Sequence, residues 1–130
     1  MSDRLQARLD AVYAIGGGPG ANRIGYSPEE DEAHRLVAGW MAELGLEVDV
    51  DPDGNLVGRR AGEDPGLAEV WAGSHLDSVP EGGRFDGPLG VLAALEAVSR
   101  LGRCRRTLGV VVFRDEERGC RGSRAFVARA

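Results

Sequence analysis

The apolar positions along the chain change period several times, and each change marks an element. Leu5, Leu9, Val12 and Ile15 recur at helical spacing, which predicts a short amphipathic helix over 3–15, ended by the glycine-rich segment 16–20. Ser27-Pro28-Glu29-Glu30 is a capping box with proline at the first helical position. Behind it Ala33, Leu36, Val37, Trp40, Met41 and Leu44 form one apolar stripe, and Gly45 stops a helix over 28–44. His34 falls inside this helix, where a solvated or half-buried place is expected.

The period then shortens to two. Leu46–Val50 alternates apolar and acidic residues as a half-exposed strand does, Asp51-Pro52-Asp53-Gly54-Asn55 is turn chemistry, and Leu56–Gly58 returns as its hairpin partner. Glu69–Gly73 and Leu108–Phe113 are short apolar runs of the kind buried in a parallel sheet. Between them Pro88–Leu101 is helical, turning Leu89, Leu92, Leu95, Ala97, Val98 and Leu101 largely inward. The order helix, helix, hairpin, strand, helix, strand predicts an α/β layered fold with a crossover unit over 69–113. Its sheet would have an open edge, which argues for a partner.

Composition narrows the function classes. Asp and Glu exceed Lys and Arg by 21 to 16, a net charge of -5, and no basic tract is longer than Arg105-Arg106. Nucleic acid is therefore excluded as a partner, because phosphate binding runs on clustered cations. No apolar run approaches the ~20 residues that span a bilayer, and the N-terminus lacks a secretory pattern. Cys104 and Cys120 are too few for a disulfide framework and read as reduced thiols of a cytoplasmic protein; neither pairs by motif with His34 or His75. Twenty glycines in 130 residues is about twice the usual share, and several crowd residues 73–90.

Open α/β sheets carry their sites at the carboxyl ends of strands. One end delivers Gly73-Ser74-His75-Leu76-Asp77-Ser78 and another Phe113-Arg114-Asp115-Glu116-Glu117, with Gly82-Gly83-Arg84-Phe85-Asp86-Gly87-Pro88 between them. Adjacent parallel strands lie ~4.8 Å apart, so the three groups can converge. His75 offers an imidazole for a metal, and Asp77 is placed to hydrogen-bond its other ring nitrogen. The Asp86 carboxylate can bridge metals ~3.5–4 Å apart. Of the adjacent Glu116 and Glu117, one can ligate while the other moves protons.

These segments, read as GSHLDSVPEGGRFDGPLGVL, resemble the metal-binding signature of the M20 metallopeptidase superfamily. The wording is similar to the branch of N-carbamoyl-L-amino-acid hydrolases and allantoate amidohydrolases, the hydantoinase/carbamoylase branch. Arg23-Ile24-Gly25-Tyr26-Ser27, Asp53-Gly54-Asn55-Leu56 and Gly122-Ser123-Arg124 fit it too. The resemblance implies a partial zinc-aminopeptidase-like three-layer sandwich with a mostly parallel central sheet, residues 1–130 being the N-terminal portion of a metal-dependent catalytic domain without its lid and dimerisation domain. It implies two divalent metal ions (Zn, Mn, Co or Ni) with His75, Asp86 and Glu117 as ligands, Asp86 bridging. Glu116 would be the general base and Asp77 the residue that orients His75. It also implies a cis Asp86–Gly87 peptide bond.

Family members are longer and complete each metal with a downstream histidine, whereas His34 and His75 are the only histidines here. The metals would thus be incompletely liganded by this chain alone. Relatives also continue EEGxRF where this chain has Arg118-Gly119-Cys120-Arg121 after the glutamates. The expectation is a truncated or split amidohydrolase acting on C–N bonds of N-carbamoyl amino acids, allantoate or related ureido compounds. It would be inactive until a complementary chain or a homodimer completes it. The alternative is a non-catalytic binding or regulatory module on the same fold.

Overall fold

The computed structural model describes all 130 residues. Helix α1 (Asp3–Tyr13) starts at Ser2, whose hydroxyl accepts from the Leu5 amide. Helix α2 (Pro28–Glu43) starts at Ser27, whose hydroxyl accepts from the Glu30 amide at 3.3 Å; this is one arm of the expected capping box, and the Glu30 carboxylate takes the Tyr26 amide instead of that of Ser27. It stops before Gly45, which takes φ +75°.

Strands β1 (Glu47–Val50) and β2 (Leu56–Arg60) make the antiparallel hairpin. Its turn closes on Asp51, whose carboxylate accepts from the amides of Asp53 at 2.9 Å and Asn55 at 3.0 Å. Strand β3 (Val70–His75), helix α3 (Pro88–Arg100) and strand β4 (Leu108–Phe113) form the crossover unit, with β3 and β4 parallel and His75 opposite Phe113. The sheet order is β1-β2-β4-β3, with β2 antiparallel to β4. Both segments that carry acidic groups, 76–78 and 114–117, therefore leave neighbouring strands at the same end of the sheet.

A final helix, α4 (Arg121–Arg129), is absent from the hydrophobic pattern. It begins at Cys120 in the left-handed region with no side-chain cap, so the usual start signal is missing. The sequence around it reads as polar, and what holds it is tertiary. Phe126 packs on Trp71 and Phe113, with ring centroids 5.9 and 5.6 Å apart. On the opposite face of the sheet α1, α2 and α3 bury their stripes with Leu56, Val110 and Val112 in a single core of 16 residues. The result is three layers, helices on both faces of the sheet. No helix is long and apolar enough to cross a membrane.

Buried charge concentrates where α2 meets the end of β4. Glu30 is fully buried, with the Arg114 guanidinium 2.6 Å from its carboxylate. Arg114 also pairs with Asp31 at 2.7 Å and lies over the Tyr26 ring. Losing one member of such a buried pair typically costs about 3–5 kcal/mol, because the other charge is stranded. His34 sits against this cluster, 3.5 Å from Glu30, and is only 7% exposed. Its expected solvated or half-buried place is corrected to a buried one, because the helix turns it toward Glu30 and Arg114 rather than outward.

Burial, with the nearby Arg114 charge, lowers the His34 pKa from 6.5 to about 3, while burial raises Glu30 from 4.5 to about 7. Between these limits the folded His34 stays neutral while the unfolded one protonates, so its contribution to stability is present above pH 6.5 and lost as pH falls toward about 3. Glu30 acts in the opposite sense, opposing folding as pH rises from 4.5 to about 7. The unfolding free energy of wild type relative to His34→Gln should therefore shrink as pH falls from 6.5 toward 3, measured by urea denaturation at stepped pH. A pH-independent difference would contradict the buried neutral imidazole.

Candidate functional site

The site starts with how β3 ends. His75, its last residue, is buried, and Nδ1 lies 3.0 Å from the Asp77 carbonyl oxygen and 3.1 Å from its Oδ1. Both neighbours only accept, so Nδ1 carries the proton and Nε2 is left as the free donor atom for a ligand. Burial would lower the His75 pKa, but the Asp77 hydrogen bond and the charges of Asp77 and Glu116 outweigh it and lift it. Asp77 is held low despite its burial, because His75 and two backbone amides stabilise its ionised form.

Those two amides belong to Glu116 and Glu117, which donate to Asp77 Oδ1 at 3.1 Å and Oδ2 at 3.0 Å. The preceding amides are held in the same way. Arg114 donates to Asn55 Oδ1 at 2.9 Å, and Asp115 to Glu30 Oε1 at 3.4 Å. Four consecutive amides after β4 are thus fixed by side-chain oxygens from three other parts of the fold. Asp115 takes φ +48°, and Gly25 lets it approach: a Cβ there would lie 1.8 Å from Asp115 Oδ1.

The glycine-rich entry to α3 completes the site. Asp86 is exposed, with Oδ1 3.9 Å from His75 Nε2. Gly87, at φ +96°, packs on the imidazole so closely that a Cβ would lie 2.7 Å from His75 Cε1. No peptide bond is cis, so the expected cis Asp86–Gly87 bond is corrected to trans; the chain turns there through the positive φ of Gly87 instead. One ligand atom each from His75, Asp86 and Glu117 lies within 4.8 Å of the other two. Burial raises the Glu117 pKa, and the carboxylates of Asp86, Glu116 and Asp77 add to it. A cluster of this charge and donor type fits a divalent cation, which would neutralise the repulsion.

Glu116 does not share that cluster but sits beside it, Oε2 3.4 Å from His75 Nε2. Glu116 thus comes closer to His75 Nε2 than Asp86 does. Its other oxygen receives the Cys120 thiol at 3.6 Å. Sequence reading missed this contact, because the left-handed turn at Cys120 that folds the thiol back leaves no mark in the hydrophobic pattern. The bonds of Asn55 and Glu30 to this loop are likewise beyond their turn, branch-motif and cap signals. His34 stands apart from the site, in the buried cluster beneath α2.

Residues 55–130 match the family model of Peptidase family M28. The chain belongs to this family. M20, to which the motifs are similar, is related to M28, and the similar proteins come from the hydantoinase/carbamoylase branch. The M28 chain is 41% identical to an N-carbamoyl-L-amino-acid amidohydrolase of Pseudomonas sp. (strain NS671), over 98% of its own length and 33% of that protein. It is 39% identical to a ureidoglycolate hydrolase of Oryza sativa subsp. japonica, over 95% of its own length and 28% of that protein. A hydantoinase/carbamoylase family amidase from Burkholderia ambifaria superposes with a TM-score of 0.90 at 39% identity, covering 98% of this chain and 34% of that one. The chain thus spans about a third of the relatives it matches.

Gly87→Ala should displace the His75 ring and cost about 1–3 kcal/mol of stability, since the added carbon meets the imidazole in a strained backbone. Gly83→Ala is the control, with nothing within 4 Å of its Cβ, and should stay within about 0.5 kcal/mol of wild type. Histidine ring NMR shifts and thermal unfolding read both; an undisturbed His75 in Gly87→Ala would contradict the packing described.

Proposed function

We propose that residues 1–130 are the N-terminal portion of the catalytic domain of a metal-dependent amidohydrolase that cleaves C–N bonds of N-carbamoyl amino acids or related ureido compounds. In this reading His75, Asp86 and Glu117 would hold the metal, with Asp86 shared between two divalent ions, and Glu116 would be the general base. The observation that carries it is the clustering of those three ligand atoms, with a fourth carboxylate, that of Glu116, 3.4 Å from His75 Nε2. The names of the relatives, one acting on N-carbamoyl amino acids and one on ureidoglycolate, point to the substrate class.

Two bound divalent ions, of Zn, Mn, Co or Ni, would supply Lewis acidity to the substrate carbonyl and to a water molecule. Everything else falls to the chain. Asp77 keeps the proton on His75 Nδ1, so that Nε2 stays a ligand atom. Glu116 takes a proton from the attacking water and hands it to the departing nitrogen. Three ligand residues leave each ion short of the three protein ligands usual at a catalytic zinc, even with Asp86 counted twice. The remaining ligands come from other polypeptide, a complementary stretch or a second copy. The two free thiols fit a reducing, cytoplasmic setting.

In the assembly that hydrolyses N-carbamoyl-L-amino acids or ureidoglycolate, Glu116→Gln should lower turnover by about 10²–10⁴-fold and leave metal content unchanged. Native mass spectrometry counts the metal and a product assay reads the turnover. Joint loss of metal and turnover would contradict the base assignment, and a fully metallated assembly that hydrolyses no carbamoyl or ureido compound would contradict the function.

A further inference from the structure

Glu30 is a fully buried carboxylate from outside the loop bearing Glu116 and Glu117 that touches this loop and that the proposed chemistry does not use. We infer that it is a positioning residue for that pair, acting from α2 through Asp115 and Arg114. Three observations converge on it. Its carboxylate joins two separate backbones, accepting from the Tyr26 amide at 2.8 Å on one side and from the Asp115 amide at 3.4 Å on the other. It holds the Arg114 guanidinium at 2.6 Å, and Arg114 directly precedes Asp115. Asp115 is itself buried in the left-handed region, a conformation that a non-glycine residue keeps only where its surroundings over-determine it.

A capping-box glutamate ordinarily reaches back to its own helix start and stops there. Glu30 reaches one residue further back with one oxygen, to the Tyr26 amide, and spends the other on the loop after β4. The amides of Glu116 and Glu117 follow within two residues and end on Asp77. Rotation of the Asp115 peptide therefore carries both out of register with the Asp77 carboxylate, and their side chains with them. The other groups at Asp115, the guanidinia of Arg118 and Arg121, approach its carboxylate from the more exposed side and do not hold its amide. Glu30 alone does that.

The functional half of this inference rests on the metal-site reading above, so the test has one readout that needs no metal. Amide hydrogen exchange is measured on the protein with Glu30→Gln, which keeps the size of the side chain and removes its charge. Expected is exchange about tenfold faster at Glu116 and Glu117, with α1, α3 and β4 amides unchanged, as loss of about one hydrogen bond at a local site predicts. Cobalt(II) titration of the same variant in the completed assembly should show about tenfold weaker binding and an altered absorption band, the usual scale for losing an outer-shell support. Should Glu30→Gln fold poorly, the double variant Glu30→Gln with Arg114→Gln removes both charges together and is read the same way. Unchanged exchange at Glu116 and Glu117, or a uniform rise across the whole chain, would overturn the inference. Wild type that binds no cobalt even in the completed assembly would overturn the metal reading and leave the exchange result to decide the positioning role.

Discussion

The carboxylate of Asp77 is the point on which the site depends. It is fully buried, and its two oxygens receive the His75 ring and the amides of Glu116 and Glu117. Those groups lie about 40 residues apart in sequence and leave two different strands, so without a common acceptor nothing local would fix their relative position. A buried carboxylate is tolerable only when donors compensate its lost hydration, and here the compensating donors are the site itself. Stability of the folded loop and geometry of the candidate metal cluster are in this way one requirement.

The fold supplies that acceptor through its topology. Parallel β3 and β4 end side by side, and the loop from the end of β3 to the start of α3 keeps Asp86 at the same end. Arg23, fully buried, stiffens the segment that holds Asp77: its Nε donates to the Leu76 carbonyl at 2.8 Å and its backbone amide to Ser78 Oγ at 3.0 Å. Arg114–Glu30 and Asn55 do the same for the loop after β4. Motifs far apart in sequence, Arg23 to Tyr26, Asp53 to Leu56 and the two acidic loops, are thereby parts of one hydrogen-bonded assembly.

Much of this was legible from residues. The capped helix at α2, the hairpin turn and the crossover unit follow from apolar period and turn chemistry, and each forms with ends shifted by a residue or two. The grouping of His75, Asp86 and Glu117 at strand ends was legible because α/β topology puts such ends together. Helix α4 was not, because its stability comes from Phe126 packing on Trp71 and Phe113 rather than from a cap or a stripe. The buried state of His34 and the second role of Glu30 were hidden for a related reason. Each depends on a side chain from a distant element, Arg114, that local spacing does not reveal. The trans Asp86–Gly87 bond differs from the expectation because family resemblance supplied it, and the positive φ of Gly87 makes the turn without it.

The most direct measurement is the NMR signature of Asp77→Ala: the ring nitrogen shifts of His75 together with the backbone amides of Glu116 and Glu117. If one carboxylate holds all three, the His75 tautomer preference is lost and both amides move and lose exchange protection together, while the α1 to α3 core keeps its shifts. Movement of the His75 ring with the Glu116 and Glu117 amides unchanged would mean that the loop is held without Asp77, and would contradict the account.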